Sequence, residues 1–396
     1  MPRSSLRHLI LLLVVLGPCL AWAGELLTPT DALQAAFENN PELRAAEAVV
    51  LEAEGELAQA LGANPTVSGS ALVDGPVELK VSQPVSPTGE GVRRRQAAAA
   101  RVEAASARLL RARFELAHAV RTAYVDAVIA VAVADVASEG LALAIRLQEL
   151  VTRLEEEGEA SDLEVDLARL AHAQAALRLM EAQEDQADAL ERLSSLVTMP
   201  LDADMLVRDI QVPAPSGEER EERSDVLAAQ AALLSAEREL TAQRAATLPP
   251  LMVGVRAESE GGVTTVGPAL SVELPVRDRN QAGRAGARGE LLTAQAHVLE
   301  TQAVASTQVA TSRDRDELGQ EALSALGEDP LAAAVAALES VEAGYREGEL
   351  ELTQVVLLQA QILDGQTAVV QLEGFVARAR LDLLLATEDP ALLGAP

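Results

Sequence analysis

The spacing of apolar residues predicts two long helices in the first half of the chain. Residues 92–157 contain no proline and a single glycine, Gly140. Leucines recur there at intervals of four and three residues, at Leu143, Leu147, Leu150 and Leu154, which is the pattern of a helix with one apolar face. A helix of that length extends ~100 Å, too long for the core of a compact domain. A second pattern of the same kind runs over 163–196.

A short break separates these two helices. Gly158 is suited to end the first helix in a left-handed conformation, and either Ser161 or Asp162 is suited to cap the second. The sequence therefore predicts an antiparallel helical hairpin whose tip occupies 155–164.

The same unit recurs later in the chain. Residues 346–354 resemble the first tip at an offset of 190 residues (Gly158 to Gly348). We therefore predict a tandem duplication, with a first repeat over 24–200 and a second over 224–390. A linker with several prolines occupies 201–223, and a short C-terminal tail occupies 391–396.

Each repeat also contains one segment with a period of two. In the first, over 65–88, apolar residues alternate with polar ones from Val77 to Val85, as in a strand with one apolar face. The second, over 249–277, alternates from Leu270 to Val276. Each segment predicts a β-hairpin. Four strands are too few for a closed barrel, but three copies of the chain supply twelve.

Composition and charge narrow the possible functions. Only six residues are aromatic, and acidic residues outnumber basic ones 61 to 32, for a formal charge of −29. A nucleic-acid partner is not expected, because such a protein carries a basic surface and stacking aromatics. The hydrophobic fraction of 49% also excludes a disordered acidic chain. A long helical protein remains.

The N-terminus has the features of an export signal. Arg3 and Arg7 precede an apolar run over 9–16, and Ala21-Trp22-Ala23 is a small-x-small cleavage site. We expect residues 1–23 to be a signal peptide and the mature formal charge to become −31. The sole cysteine, Cys19, is either lipidated or removed with this peptide.

Catalytic, cofactor and metal sites are not expected. The mature chain has three widely separated histidines, His118, His172 and His297, without a neighbouring cysteine or a metal-ligand spacing. Its serines, histidines and acids form no recognisable nucleophilic triad. The sequence therefore does not predict an enzyme.

Several short motifs together carry a resemblance to a known family. These are Asn40-Pro41-Glu42-Leu43, then Gln83-Pro84-Val85 before Arg93-Arg94-Arg95, then Leu274-Pro275-Val276 before Asp278-Arg279-Asn280-Gln281-Ala282-Gly283, and the two glycine-containing tips. In order and spacing the mature chain resembles the outer-membrane efflux proteins, the TolC-type channels. The Arg279-Asn280-Gln281 segment is similar to the metal-efflux branch of that family.

This resemblance implies a mainly α fold with a small β part. Long antiparallel helical hairpins would form an α-barrel, and two β-hairpins per protomer would join a trimeric 12-stranded barrel in outer-membrane lipid. The homotrimer would be a passive exit duct for small molecules or ions, joined to a periplasmic adaptor and an inner-membrane pump. The helical part would lie in the periplasm.

The tips would then carry the functional residues. The resemblance assigns adaptor docking to Gly158, Ser161, Asp162, Gly348 and Thr353. Three acids near the first tip have two possible roles: Asp162, Glu164 and Asp166. In a trimer they would be repeated threefold and could form a constriction in the pore. The alternative is one helix-capping residue and ordinary surface acids.

Three further features qualify this interpretation. The predicted strands lack the aromatic girdles typical of membrane barrels. The alternative is a soluble periplasmic coiled-coil scaffold or adaptor-like protein. No mature segment has the ~20 uninterrupted apolar residues of a transmembrane helix. Pro330 should kink or interrupt the long helix of the second repeat.

Overall fold

The computed structural model describes residues 26–60, 62, 64–73, 76–208, 210, 212–216, 222–247, 250–272, 279–327 and 329–394. The expected signal peptide and Cys19 lie outside these ranges, as does the segment 273–278. The described chain is mainly helical with one small antiparallel sheet, as the sequence predicted.

The helices are α1 (Pro29–Asn39), α2 (Pro41–Gln59), α3 (Glu90–Glu156), α4 (Asp162–Val197), α5 (Ser224–Ala245), α6 (Gln281–Ala325), α7 (Pro330–Arg346) and α8 (Leu352–Thr387). The strands are β1 (Thr66–Ala71), β2 (Val77–Val85), β3 (Leu251–Glu260) and β4 (Val263–Val272). Two 3₁₀ turns occupy Ala203–Met205 and Pro390–Leu393.

The residues fall into two compact units, each assembled from three separate segments. Unit 1 comprises the described parts of 1–39, 119–212 and 321–378. Unit 2 comprises those of 40–118, 213–320 and 379–396. Each unit therefore draws on both halves of the sequence.

Helix α3 packs partly through small side chains. In unit 2 its buried residues include Ala97, Ala100 and Ala104, and Ser235 of α5 donates a hydrogen bond to the Ala97 carbonyl at 3.1 Å. In unit 1, a Cβ added to Gly140 would lie 2.9 Å from Leu363 of α8, so the glycine permits a close approach of the two helices. By length and composition alone, part of α3 is apolar enough to cross a membrane, as many buried core helices also are.

Local signals define several helix boundaries. The side chain of Asn40 accepts hydrogen bonds from the amides of Glu42 (2.8 Å) and Leu43 (3.1 Å), which caps α2, and Pro41 occupies its first turn. Helix α6 ends at Ala325, and α7 starts at Pro330 behind an Asp329 cap with φ +50°. Pro330 thus opens a new helix where the sequence predicted a kink or an interruption.

The four strands form one antiparallel sheet in the order β1-β2-β3-β4. The two hairpins meet along β2 and β3, where Val81 pairs with Val255. Gly254 lies opposite Ser82, and a Cβ there would come within 2.1 Å of the Val81 carbonyl. Glycine is therefore required at this seam.

Strand β4 begins earlier than the alternating pattern indicates. It starts at Val263, directly after the Gly261-Gly262 turn, and its described part ends at Val272. The sequence placed the strand from Leu270, because residues 263–268 do not alternate in polarity. Pro268 is tolerated within β4 because this strand lies at the edge of the sheet.

The expected linker has ordered contacts in unit 1. Leu206 forms a parallel bridge with Leu27, and both are almost fully buried. The Tyr124 hydroxyl lies 2.8 Å from the Leu27 carbonyl and 2.9 Å from the Val207 carbonyl. Burial, the largest cause, raises the pKa of Tyr124 to about 12. One of the few aromatic side chains therefore anchors the linker to α3.

The C-terminal segment is anchored in unit 2. Glu388, fully buried with φ +51°, accepts hydrogen bonds from the backbone amide (2.8 Å) and hydroxyl (2.5 Å) of Ser224, the first residue of α5. Its carboxylate also lies 3.3 Å from Arg111. Leu392, within the expected tail, is fully buried.

Candidate functional site

The first tip has the geometry that its sequence indicates. Gly158 takes φ +79°, and the amides of Glu159 and Ala160 donate to the Leu154 carbonyl at 2.8 and 3.2 Å. Helix α4 then starts with a capping box. The Glu164 carboxylate accepts from the Ser161 amide at 2.7 Å, and the Glu164 amide donates to the Ser161 hydroxyl at 3.4 Å.

The second tip repeats this backbone. Gly348 takes φ +76°, and the amides of Glu349 and Leu350 donate to the Gly344 carbonyl at 2.8 and 3.2 Å. At the start of α8 the neutral Gln354 takes the place that the Glu164 carboxylate has in the first tip. The Glu351 amide donates to the Gln354 side-chain oxygen at 3.1 Å. Both tips therefore have the same backbone hydrogen bonds but different side chains in the helix cap.

An apolar core, which we call the tip cluster, joins the two tips within unit 1. Its buried members are Leu147 and Val151 of α3, Val165 and Ala168 of α4, Val341 of α7, and Leu352 and Val355 of α8. Tyr345 packs against it, half-buried. Burial, and secondarily the charge of Glu164, raise the pKa of Tyr345. The two turns are thus held as one body by apolar contacts.

The residues predicted to dock a partner all lie on the tip surface. Gly158, Ser161, Asp162, Gly348 and Thr353 are exposed. A Cβ added at either glycine would meet nothing within 4 Å. The glycines are therefore needed for their positive φ and not for close packing.

The three acids predicted near the first tip have different local roles. Hydrogen bonds from the Ser161 amide, and then from its hydroxyl, lower the pKa of Glu164. Asp166 lies 3.2 Å from Arg169. Asp162 is exposed and has no side-chain hydrogen bond or ion pair among the described residues. Of these three acids, Asp162 is therefore the one without a partner in the described part of the chain.

Some tip residues were not singled out from the sequence. Glu342 lies 3.4 Å from Arg146 and 3.0 Å from Arg346, which links α3 to α7. These three residues and Tyr345 border a cavity of about 420 Å³ between the two hairpins. Charge-rich helices carry many such residues, and the sequence has no spacing that brings these together.

The second candidate surface is the sheet in unit 2. Its pairing places the following residues on one face: Val67, Leu79, Val81, Val253, Val255, Val266 and Leu270. All seven side chains are exposed, with Leu270 70% exposed. Such an apolar area is typical of a surface that contacts lipid or a partner.

The opposite face of the sheet is polar. Arg256 lies 3.8 Å from Glu78 and 3.9 Å from Glu258, and Lys80 lies directly across the strand pair from Arg256. One face is thus mostly aliphatic and the other carries the charged side chains, as in strands with lipid on one side and water on the other.

The histidines make separate contacts. His118 lies 2.8 Å from Asp382, and His172 lies 2.7 Å from the Gln148 side chain. In the ranges that the structure describes, histidine, cysteine and acidic side chains form no group of three able to hold a metal ion.

No protein-family profile and no curated protein matches the chain. Solved structures do match it. A membrane protein from Pseudomonas aeruginosa is similar with a TM-score of 0.75 at 18% identity, over 93% of this chain and 95% of that one. The outer-membrane channel OprN has a TM-score of 0.76 at 20% identity, over 91% of this chain and 90% of that one. The outer membrane protein VceC from Vibrio cholerae has a TM-score of 0.72 at 19% identity, over 91% of this chain and 96% of that one.

These likenesses cover nine-tenths or more of each protein. The chain therefore has the fold of the TolC-type outer-membrane channels, as its sequence resemblance predicted.

Proposed function

We propose that this protein is the outer-membrane exit duct of a tripartite efflux system. Three copies would form a tunnel that passes small molecules or ions from a periplasmic adaptor and an inner-membrane pump to the exterior. The observation that carries the proposal is a channel fold over more than nine-tenths of the chain, combined with a sheet that exposes one apolar face. The duct performs no bond chemistry and uses no cofactor.

The sheet supports a membrane location. A trimer would place twelve strands in one barrel, with the apolar face toward lipid and the charged face toward the lumen. Strands of 9 to 10 residues, as in β2, β3 and β4, are long enough to cross an outer membrane when tilted. Aliphatic side chains supply the apolar band where aromatic residues are scarce.

The apolar face allows a sharp test. Val255→Arg places a charge on that face near the middle of β3, where lipid would oppose it by ~2–4 kcal/mol. Thr265→Arg places the same charge on the opposite face and is the matched control. We expect heat-modifiable trimers in the outer-membrane fraction for the wild type and Thr265→Arg, and their loss for Val255→Arg. A soluble periplasmic monomer from the wild-type chain would contradict the duct and favour the scaffold.

We assign adaptor docking to the exposed tip residues Gly158, Ser161, Asp162, Gly348 and Thr353. The shared tip cluster supports this assignment, because it fixes both turns as one rigid surface. Thr353→Arg should abolish co-purification with a periplasmic adaptor that the wild-type channel retains, while the trimer still conducts ions in planar bilayers. Adaptor binding that persists in this variant would contradict the assignment.

We also propose that Asp162, Glu164 and Asp166, repeated three times, narrow the periplasmic entrance. Asp162 is the strongest member, because no neighbouring group in the described chain neutralises it. The reversal potential across a salt gradient should shift toward lower cation preference in Asp162→Asn. Glu191→Gln, an exposed acid farther along α4, should leave the reversal potential unchanged, and an equal shift in both variants would contradict the constriction.

A further inference from the structure

Unit 2 contains a large surface cavity where helices meet the sheet. It measures about 660 Å³ and lies between the start of α3 and the end of α5. Its lining comprises Arg93, Arg238, Arg244, Thr88, Gln96 and Thr241, with Ala245 and Thr247.

The cavity is positively charged in a strongly acidic protein. It presents three guanidinium groups and no carboxylate, although the chain has 61 acidic and 32 basic residues. Arg93 donates to the Thr88 carbonyl at 3.1 Å, and Arg238 donates to the Gln96 side-chain oxygen at 3.4 Å. Both acceptors are neutral. Within the described ranges, none of the three arginines is paired with a carboxylate, so their charge is left without a counterion.

Some other arginines of unit 2 are neutralised locally. Arg111 contacts Glu115 and Glu388, and Arg101 contacts Glu56 and Glu239. The cavity, by contrast, is lined by three arginines that have no carboxylate partner in the described ranges. Like charges brought together in this way repel one another unless an anion binds between them.

Thr88 also lines the cavity. Its Oγ1 atom is buried and has no hydrogen-bond partner among the described residues. A buried hydroxyl without a partner is costly. Guanidinium groups are the preferred ligands of phosphate, because they donate two parallel hydrogen bonds to its oxygens. The donor set of this cavity suits a phosphate oxyanion.

The position in the chain indicates where the phosphate comes from. Strand β2 ends at Val85, shortly before Arg93, and β3 begins at Leu251, shortly after Arg244. If the apolar face of the sheet lies in hydrocarbon, residues just beyond the strand ends lie at the level of the lipid headgroups. All three arginines are exposed, as contact with a headgroup requires.

We propose that this cavity binds the phosphate of an anionic phospholipid at the periplasmic surface of the outer membrane. The inference rests on the proposed function, because the strands must span the membrane to bring the cavity to a lipid surface. The bound phosphate would neutralise the three arginines and fix the junction between α3, α5 and the sheet.

Binding to the full chain in a nonionic detergent tests the proposal. Phosphatidylglycerol, diacylglycerol and inorganic phosphate are titrated separately, and the thermal midpoint and lipid retention in native mass spectrometry are followed. We expect phosphatidylglycerol to bind and raise the midpoint, and diacylglycerol, which lacks the phosphate, to do neither. Arg93→Gln/Arg238→Gln/Arg244→Gln should weaken phosphatidylglycerol binding about 100-fold, since each surface arginine contributes about fivefold.

Three variants control for charge and folding. Arg169→Gln/Arg178→Gln/Arg192→Gln removes three exposed arginines from α4 and should bind like the wild type. Arg93→Lys/Arg238→Lys/Arg244→Lys keeps the charge and should retain binding within about tenfold. Thr88→Val removes the buried hydroxyl and should weaken binding severalfold. Equal phosphatidylglycerol binding by the cavity glutamine variant and the α4 glutamine variant would contradict the proposed lipid site.

The phosphate titration and membrane fractionation separate the possible failures. Inorganic phosphate that binds the wild type at millimolar concentration, in a detergent solution where phosphatidylglycerol does not bind, would assign the site to a free anion and overturn the lipid. A soluble wild-type chain that binds no phosphatidylglycerol would overturn the duct and this proposal together. Outer-membrane trimers without phosphatidylglycerol binding would overturn this proposal alone.

Discussion

At the first tip residue 162 is an exposed aspartate, whereas its counterpart at the second tip, Leu352, is 2% exposed. At the next position the polarity is reversed. The first tip has Leu163, which is 68% exposed, and the second tip has the polar Thr353. The cap differs too, since Glu164 corresponds to neutral Gln354. Yet the backbone hydrogen bonds are the same.

The two tips therefore separate what the turn requires from what its surroundings require. The turn needs a residue with positive φ and a side-chain acceptor three residues into the helix cap. The surroundings decide which neighbouring side chain is buried. The second tip supplies Leu352 to the tip cluster, and the first tip leaves Asp162 and Leu163 for contacts outside the chain.

The largest expected effect on stability comes from a substitution in the tip cluster. Leu352→Ala removes a buried side chain from the tip cluster and should lower the free energy of unfolding by about 3 kcal/mol. Leu163→Ala, at an exposed leucine one position later in the other tip, should change it by less than ~0.5 kcal/mol. Thermal or denaturant unfolding of both variants measures the difference. Equal losses would show that Leu163 is also buried in the folded protein.

The next effect tests whether both turns need the same conformation. Gly158→Ala and Gly348→Ala place a side chain at φ +79° and +76°, which should cost about 1–2 kcal/mol each. Gly365→Ala is the control, because this glycine lies within α8 with open space around it, and alanine is favoured in helices by ~1 kcal/mol. A loss at one tip only would mean that the two turns differ in solution.

A smaller effect concerns the cap of α4. Ser161→Ala removes the hydroxyl that accepts from the Glu164 amide and should cost about 1 kcal/mol. Ser161→Thr keeps the hydroxyl and should restore most of this loss. Hydrogen exchange of the amides at 162–165 reports the change locally. Unchanged exchange in Ser161→Ala would contradict the cap.

The smallest effect distinguishes the charged cap from the neutral one by pH. The pKa of Glu164 is lowered in the folded chain, so its contribution is present above the unfolded pKa of about 4.5 and is lost as pH falls through the folded value. Because the side chain is solvent-accessible, we expect less than ~0.5 kcal/mol. Relative to Glu164→Gln, amide exchange at the first tip should accelerate as pH falls below about 4.5.

The second tip supplies the reciprocal variant. Gln354→Glu installs a carboxylate that can accept from the Glu351 amide, and it should give the second tip the pH dependence that only the first tip has. The nearby Glu351 side chain reduces the gain, because the two acids repel. A second tip that stays insensitive to pH in this variant would contradict the role assigned to the carboxylate.

Much of the fold follows from local signals. Proline and glycine mark the limits of α2, α7 and both tips, and the absence of both over most of 92–157 accounts for a helix as long as α3. The β-hairpins follow from alternation, except at the start of β4, where residues 263–268 carry no period. The exposure of the tip residues Gly158, Ser161, Asp162, Gly348 and Thr353 was predictable too, because turn residues lie at the surface.

Other features depend on residues far apart in the chain. Nothing near Tyr124 indicates that its hydroxyl meets the carbonyls of Leu27 and Val207. Likewise, the buried contact of Glu388 with Ser224 joins residues 164 positions apart. The cavity with Arg93, Arg238 and Arg244 combines two helices in the same way. Such groupings have no local pattern, because they arise only when distant elements pack.

The sequence by itself determined the elements, their order and the resemblance to a channel fold, since periodicity and turn chemistry act over a few residues. The tertiary structure decided that Leu352 is buried while Leu163 is exposed, which acids are already engaged and where uncompensated positive charge collects. Burial and charge balance depend on every neighbour in space, and most of those neighbours lie on other helices.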